Sequence, residues 1–333
     1  MTFQILALSG GGFRGLFTAQ VLTELERQAG RPLAQCFDLI AGTSIGGIIA
    51  LGLALERPAA EIRDLFSRRG ASIFSSRPKP KNWFFSRYDY LRFLCKPKYT
   101  GEDLREAVED VLGHNTLLGD AQHRVLVPTV NMTRGKVQML KTPHHQNFVS
   151  DHRLRMVDVA MATSAAPTYF PLADLEDSRC VDGGIVANAP DLCALHEATH
   201  FLNQSRDDIR ILSIGTTTSH YSLSHAVGRN LGSYQWMVGG RLMSTMISAQ
   251  QQLTEYMLGH LLEGRYVRID EPQSHEQEGD LGLDIATVDA QRTMRGLAAG
   301  AYQRASALPM LTAILAHVAV PPVFYAGSNA NSV

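Results

Sequence analysis

The pentapeptide Gly42-Thr43-Ser44-Ile45-Gly46 constrains this chain more than any other stretch. An apolar run, Phe37 to Ala41, leads into it, and a small, apolar, glycine-rich run, Gly47 to Ala54, leads out. That order reads as strand, tight turn and helix with a serine at the apex, the arrangement of a nucleophile elbow. A serine at such a turn projects its hydroxyl away from the backbone. The glycines two before and two after it let strand and helix pass where a Cβ would clash. The helix that follows aims its first N–H groups and its dipole at the site, which favours developing negative charge. G-x-S-x-G also arises by chance in glycine-rich chains, so the strand-then-helix context is what gives Ser44 weight as a nucleophile.

A second strand–glycine–helix unit precedes the elbow. Phe3 to Leu8 reads as a buried strand and Ser9-Gly10-Gly11-Gly12-Phe13-Arg14-Gly15 as a loop. A helix follows, with Thr18, Val21, Leu22 and Leu25 spaced i, i+3, i+4, i+7. Gly10, Gly12 and Gly15 satisfy G-x-G-x-x-G, but a dinucleotide site wants an acidic residue at a strand end about 20 residues on. Glu24 and Glu26 fall inside the helix instead. Consecutive glycines at a helix start also expose backbone N–H groups, and acyl transfer needs such donors about 3 Å from a developing oxyanion. Gly11 and Gly12 are the donors this reading selects. Arg14 either supplies positive charge or braces the loop.

The alternation continues and predicts an α/β fold with a mostly parallel central sheet. Strands are expected over residues 124–131, with Pro128 as a blemish, and over 137–141, 209–214 and 265–270. Helices are expected over 59–69, 104–112, 156–164, 192–201, 242–262 and 287–305, and 326–333 reads as a frayed tail. The 333 residues suffice for one large domain or two modest ones. A net charge of -1 lacks the electrostatic footprint of a nucleic-acid binder, so no DNA or RNA partner is expected. No apolar run approaches the roughly 20 residues that cross a bilayer. The N-terminus carries no secretion pattern. Cys36, Cys95, Cys180 and Cys193 form no C-x-x-C pair and read as reduced thiols in a cytoplasmic protein.

Ser44 needs a proton acceptor. In the α/β-hydrolase order the acceptor is a later histidine, with His196, His200, His220, His225, His260 and His275 as candidates, none in a distinctive motif. Asp182, between Arg179-Cys180-Val181 and Gly183-Gly184, is the stronger candidate, at the mouth of a tight turn that stands beside an elbow and a glycine loop. A carboxylate is a weak base at its solution pKa, so this reading requires burial and a short hydrogen bond to Ser44.

Together these residues resemble the patatin-like phospholipase family. Ser9 to Gly15 is similar to its oxyanion motif, Gly42 to Gly46 to its elbow, and Asp182-Gly183-Gly184 to its catalytic Asp-Gly-Gly. Residues 162–171, Asn188 with Pro190, and residues 212–216 match further segments, so the resemblance spans about residues 3 to 217. It implies a three-layer α/β/α sandwich and a Ser44–Asp182 dyad without a catalytic histidine. It also implies an oxyanion held by Gly10, Gly11 and Gly12, no metal or cofactor, and lipid acyl esters of membrane phospholipids as substrates. Arg14, Gly42, Gly46, Gly183 and Gly184 support that geometry. The whole chain, 1–333, then forms one domain, with a helical extension over about 220–325. Its size and short N-terminus are similar to bacterial patatin-like effectors of antiphage signalling. That likeness implies activation by a cyclic dinucleotide, a homo-oligomer, and action at the inner membrane surface. The competing readings are an esterase with a Ser-His-Asp triad and a non-catalytic nucleotide- or lipid-binding module.

Between Arg68 and Lys98 the chain carries nine Lys or Arg against the single acidic Asp89, interleaved with Phe74, Trp83, Phe84, Phe85, Tyr88, Tyr90 and Phe93. Basic residues attract anionic headgroups and amphipathic rings settle at their level. Trp83, Phe84 and Phe85 are therefore expected to contact membrane. Binding of a nucleotide, or packing of the aromatics into the core, are the alternatives.

Overall fold

The computed structural model describes residues 2–74, 96–217, 221–237, 240–274 and 276–330. Its centre is an eight-stranded sheet of β1 (Phe3–Leu8), β2 (Leu39–Gly42), β3 (Val125–Asn131), β4 (Lys136–Lys141), β5 (Ala173–Leu175), β6 (Ser178–Asp182), β7 (Ile209–Ile214) and β8 (Tyr266–Ile269). The order is β5-β6-β3-β2-β1-β7-β8, with β4 also on β3. From β3 to β8 the neighbours are parallel, whereas β4 and β6 run antiparallel to β3, and β5 to β6. The sheet is therefore mixed: parallel at its centre and antiparallel on one flank. The reason is connection length. Tight turns join β3 to β4 and β5 to β6, and a turn of a few residues can only reverse a strand.

Strand β3 has two edges. Strand β4 pairs along one from Leu126 to Asn131. The other is shared, with β2 opposite Val125 and Leu126 and β6 opposite Thr129 to Asn131. Pro128, which has no N–H to offer a ladder, falls at the hand-over between the two.

The helices in chain order are α1 (Gly15–Ala29), α2 (Ile45–Ala54), α3 (Ala59–Ile73), α4 (Glu102–Leu112), α5 (Met156–Ser164), α6 (Gly184–Ala187), α7 (Asp191–His196), α8 (Ser233–Met237), α9 (Arg241–Leu262), α10 (Val288–Ser306) and α11 (Pro309–Ala316). Alternation along β1 divides the core. Leu6 and Leu8 join the larger cluster, with side chains of α1 to α5, α10 and α11. Phe3, Ile5 and Ala7 join the smaller one, with Ala194 and Leu195 of α7 and Leu258 and Leu262 of α9. Helices thus cover both faces, giving three layers. Residues after 220 are part of this plan, since β8 extends the sheet and α10 packs on α1.

Two local expectations are corrected. The helix over 192–201 is α7 followed by a π-helical turn, Glu197–Phe201, in which Glu197 is buried beside Lys141 and His144. The tail is pinned at 327–329: Gly327 packs on Gly119, Ser328 Oγ donates to the Gly119 carbonyl at 3.2 Å, and Asn329 Nδ2 donates to the Asp120 carbonyl at 3.1 Å. Phe74, the first of the aromatics interleaved with the basic segment, takes the packing alternative and is buried edge-on against Phe13 and Phe170. Trp83, Phe84, Phe85, Cys95, His220 and His275 lie outside the described residues.

Candidate active site

Ser44 stands between the end of β2 and the start of α2 with φ 55° and ψ -124°. A non-glycine residue there costs on the order of 1–3 kcal/mol, so its surroundings must hold it. They do so at several points. Its N–H donates to Thr163 Oγ1 at 3.0 Å, and that hydroxyl donates to the Pro128 carbonyl at 2.7 Å. Its carbonyl accepts from Gly47 and Ile48 of α2. The turn is tight: a Cβ on Gly42 would stand 2.1 Å from the Gly46 carbonyl oxygen.

Asp182 reaches Ser44 through the sheet. Strand β6 takes the edge of β3 that β2 has just left and runs the opposite way, so the C-terminal ends of β2 and β6 meet. Ser44 Oγ donates to Asp182 Oδ2 at 2.7 Å. The Gly184 N–H, at the start of α6, donates to Oδ1 at 2.6 Å. Asp182 is 6% exposed. Burial pushes its carboxyl up from 3.8 to about 6, against the pull of the hydrogen bonds from Ser44 and Gly184. A base with that affinity for protons is suited to neutral pH. Gly183 donates to the Thr163 carbonyl at 3.2 Å, so one threonine braces both the elbow and the Asp-Gly-Gly turn.

The glycine loop lies alongside. The Gly10 N–H donates to the Asn188 carbonyl at 2.9 Å, so this structure removes Gly10 from the expected set of free donors. Gly11 and Gly12 line the cavity. Gly12 has φ +57°, and a Cβ there would stand 2.2 Å from the Leu283 carbonyl oxygen. That carbonyl also accepts from the Phe13 N–H at 2.7 Å, so residues after 280 clamp the loop from outside. Arg14, 8% exposed, donates to the carbonyls of Gly11 at 3.4 Å and Thr217 at 3.3 Å. It therefore braces the loop. Burial lowers its pKa to about 10, opposed by the nearby Asp270, and leaves it cationic.

Ser44, Asp182, Gly11 and Gly12 open into one cavity, about 720 Å³ with the open solvent at its mouth included. Ile45, Ile48, Leu104, Phe170 and Ile247 give its walls an apolar character. No histidine among the described residues lines it, and His196, His200, His225 and His260 are exposed. Cys180 is buried, and burial raises its thiol further from ionisation. No three His, Cys, Asp or Glu among the described residues are grouped to hold a metal. No helix among the described residues is long and apolar enough to cross a membrane. A strained serine, a buried carboxylate and backbone N–H groups beside an apolar cavity are the parts that an acyl-transfer site would use.

Sequence reasoning overlooked four residues of this site. Thr163 and Asn188 lie in segments that match family motifs, but nothing local reveals what they hold. Leu283 and Gln250 lie in no motif.

The family model described as patatin-like phospholipase matches residues 6–191. The chain is 43% identical over 332 residues to a "cGAMP-activated phospholipase" of Pseudomonas aeruginosa, covering 99% of this chain and 97% of that one. A protein of the same description from Vibrio cholerae serotype O1 is 40% identical over 309 residues, covering 86% of each. One from Escherichia coli is 38% identical over 306 residues, covering 85% of this chain and 84% of the other.

Proposed function

Since the chain belongs to the patatin-like phospholipase family, we propose that it hydrolyses acyl esters of membrane phospholipids with Ser44 as nucleophile and Asp182 as base, and that a cyclic dinucleotide switches it on. The observation that carries the chemistry is the 2.7 Å bond from Ser44 Oγ to a buried carboxylate at the edge of an apolar cavity. Ser44 Oγ attacks the ester carbonyl carbon as its proton passes to Asp182 Oδ2. The N–H groups of Gly11 and Gly12 hold the oxyanion. The intermediate collapses, the ester C–O bond breaks, and Asp182 returns the proton to the departing lysophospholipid oxygen. Water then attacks the acyl-enzyme carbonyl carbon and gives a proton to Asp182; the bond from that carbon to Ser44 Oγ breaks, Asp182 returns the proton to Oγ, and the fatty acid leaves. The apolar walls suit an acyl chain and exclude bulk water from the dyad.

Activation rests on the relatives, whose names carry it. Assembly into a homo-oligomer, a single domain over 1–333 and action at the inner membrane surface belong to the same proposal. The test is fatty-acid release from phosphatidylglycerol–phosphatidylethanolamine vesicles with and without cGAMP. Release is expected only with cGAMP, and only with Ser44 intact. Equal release in both lanes would remove the switch. Release by Ser44→Ala would remove the nucleophile.

A further inference from the structure

Helix α9 lies beyond the residues that the family model matches, yet one of its side chains grips the catalytic turn. Gln250 Nε2 donates to the Ile185 carbonyl at 2.7 Å, and Gln250 Oε1 accepts from the Asn188 N–H at 3.1 Å. One amide therefore joins a residue inside α6 to the residue just after it. Helix α6 is four residues long, a single turn with little stability of its own. Its first N–H belongs to Gly184 and holds Asp182 Oδ1. Its far end leads into Asn188, whose carbonyl accepts from the Gly10 N–H and whose Nδ2 donates to the Gly10 carbonyl at 3.3 Å. Motion of this turn is thus transmitted in two directions, to the base and to the oxyanion loop. Met243 and Ile247 of α9 line the cavity, and with Gln250 they are spaced i, i+4, i+7 on one helical face.

We propose that Gln250 is a positioning residue, through which helix α9 sets the place of Asp182 and of the Gly10–Gly12 loop relative to Ser44. This rests on the Ser44–Asp182 reading above. Gln250 touches neither substrate nor the reacting atoms. Its effect is on geometry, and a misplacement of about 1 Å in such a site costs up to about 100-fold in rate. An ordinary helix glutamine that merely satisfies backbone groups would instead contribute to stability and leave turnover per folded molecule alone.

The test measures kcat and KM on a soluble short-chain ester in the presence of cGAMP, together with thermal unfolding. Gln250→Met removes both bonds at nearly constant length. Gln250→Glu keeps an acceptor for Asn188 and loses the donor to Ile185. Gln252→Ala is the control, because among the described residues that side chain bonds within its own helix, to Ser248 Oγ. Gln250→Met is expected to lower kcat by about 10- to 100-fold with KM changed less than about twofold. Its Tm should stay within about 4 °C of the parent. Gln252→Ala is expected to match the parent. A folded Gln250→Met with parental kcat overturns the proposal, as does an equal loss in Gln252→Ala. If Gln250→Met does not fold, Gln250→Glu decides: parental kcat overturns the proposal, and a lower kcat at unchanged KM upholds it. Activity surviving in Ser44→Ala would sink the dyad itself, a different result from parental kcat in the Gln250 variants alone.

Discussion

Asp182 and Glu197 are carboxylates buried to similar depth, 6% and 1% exposed, on neighbouring stretches of the chain. Their surroundings differ. Asp182 accepts hydrogen bonds from a hydroxyl and a backbone N–H, both neutral, and burial raises it to about 6. Glu197 accepts from Lys141 Nζ at 2.7 Å and faces His144 Nε2 at 3.0 Å. Burial works to raise Glu197 too, but the bonds from His144 and Lys141 outweigh it and hold the group below its ordinary value. Burial lowers His144, against the pull of Glu197. Thr142 Oγ1 lies 2.8 Å from Nδ1. Phe148 and Phe201 flank the ammonium of Lys141 at 4.0 and 4.4 Å. Depth alone therefore does not identify a catalytic carboxylate. The partners differ: Glu197 is satisfied by a cation and acts as a clasp between β4 and the π turn, whereas Asp182, the proposed base, accepts from neutral donors and opens onto a cavity.

The largest expected effect lies on the Asp182 side. Asp182→Asn should lower kcat/KM by at least about 1,000-fold, since the amide cannot take the serine proton. It should also stabilise the fold at pH 8, by up to about 3 kcal/mol, because a carboxylate raised by about two units is buried there against its preference. Loss of activity with a higher urea midpoint checks both halves, and a lower midpoint would break the contrast.

Glu197→Gln should do the reverse. Removing the charge strands Lys141 and costs about 3 kcal/mol of unfolding free energy, as breaking a buried pair does. Turnover per folded molecule should be unchanged. A fall in kcat at full folding would mean that Glu197 serves the reaction.

A smaller effect separates the two by pH. Asp182 is raised in the folded state, so its contribution to stability is fully present below 3.8 and lost as pH rises through about 6. Glu197 is lowered, so its contribution is present above 4.5 and lost as pH falls through its folded value. Urea unfolding from about pH 3 to 8 should show the falling slope vanish in Asp182→Asn and the rising one, which lies below 4.5, weaken in Glu197→Gln. Over the same range kcat/KM should fall below pH about 6, tenfold per unit, as Asp182 takes up its proton.

Much of the frame was legible because it rests on local signals. Strand β7 and helix α5 occupy the residues that their apolar patterns mark out. The elbow and the glycine loop announce themselves because only certain residues survive a tight turn. Less legible was anything that depends on a distant partner. Read locally, the residues favoured Asp182 as the base but kept a later histidine open. The donor role of Gly10 failed because Asn188, 178 residues away, engages it on both backbone groups. Gln250 gave no signal at all, since a glutamine on a half-buried helix looks alike whether it holds a catalytic turn or faces water.

By itself the sequence determined where the chain turns and which residues stand at the turns. That follows from steric rules acting over a few residues: Gly42 and Gly46 around Ser44, three glycines before Phe13, two after Asp182. Only the tertiary structure decided which turns meet. Strand β3 offers one edge to two successive partners, and the ends of β2 and β6 meet there. Two residues 138 positions apart thus share one proton. Burial, which no local pattern reveals, raises that carboxylate to about 6, as the proposed role of a base requires.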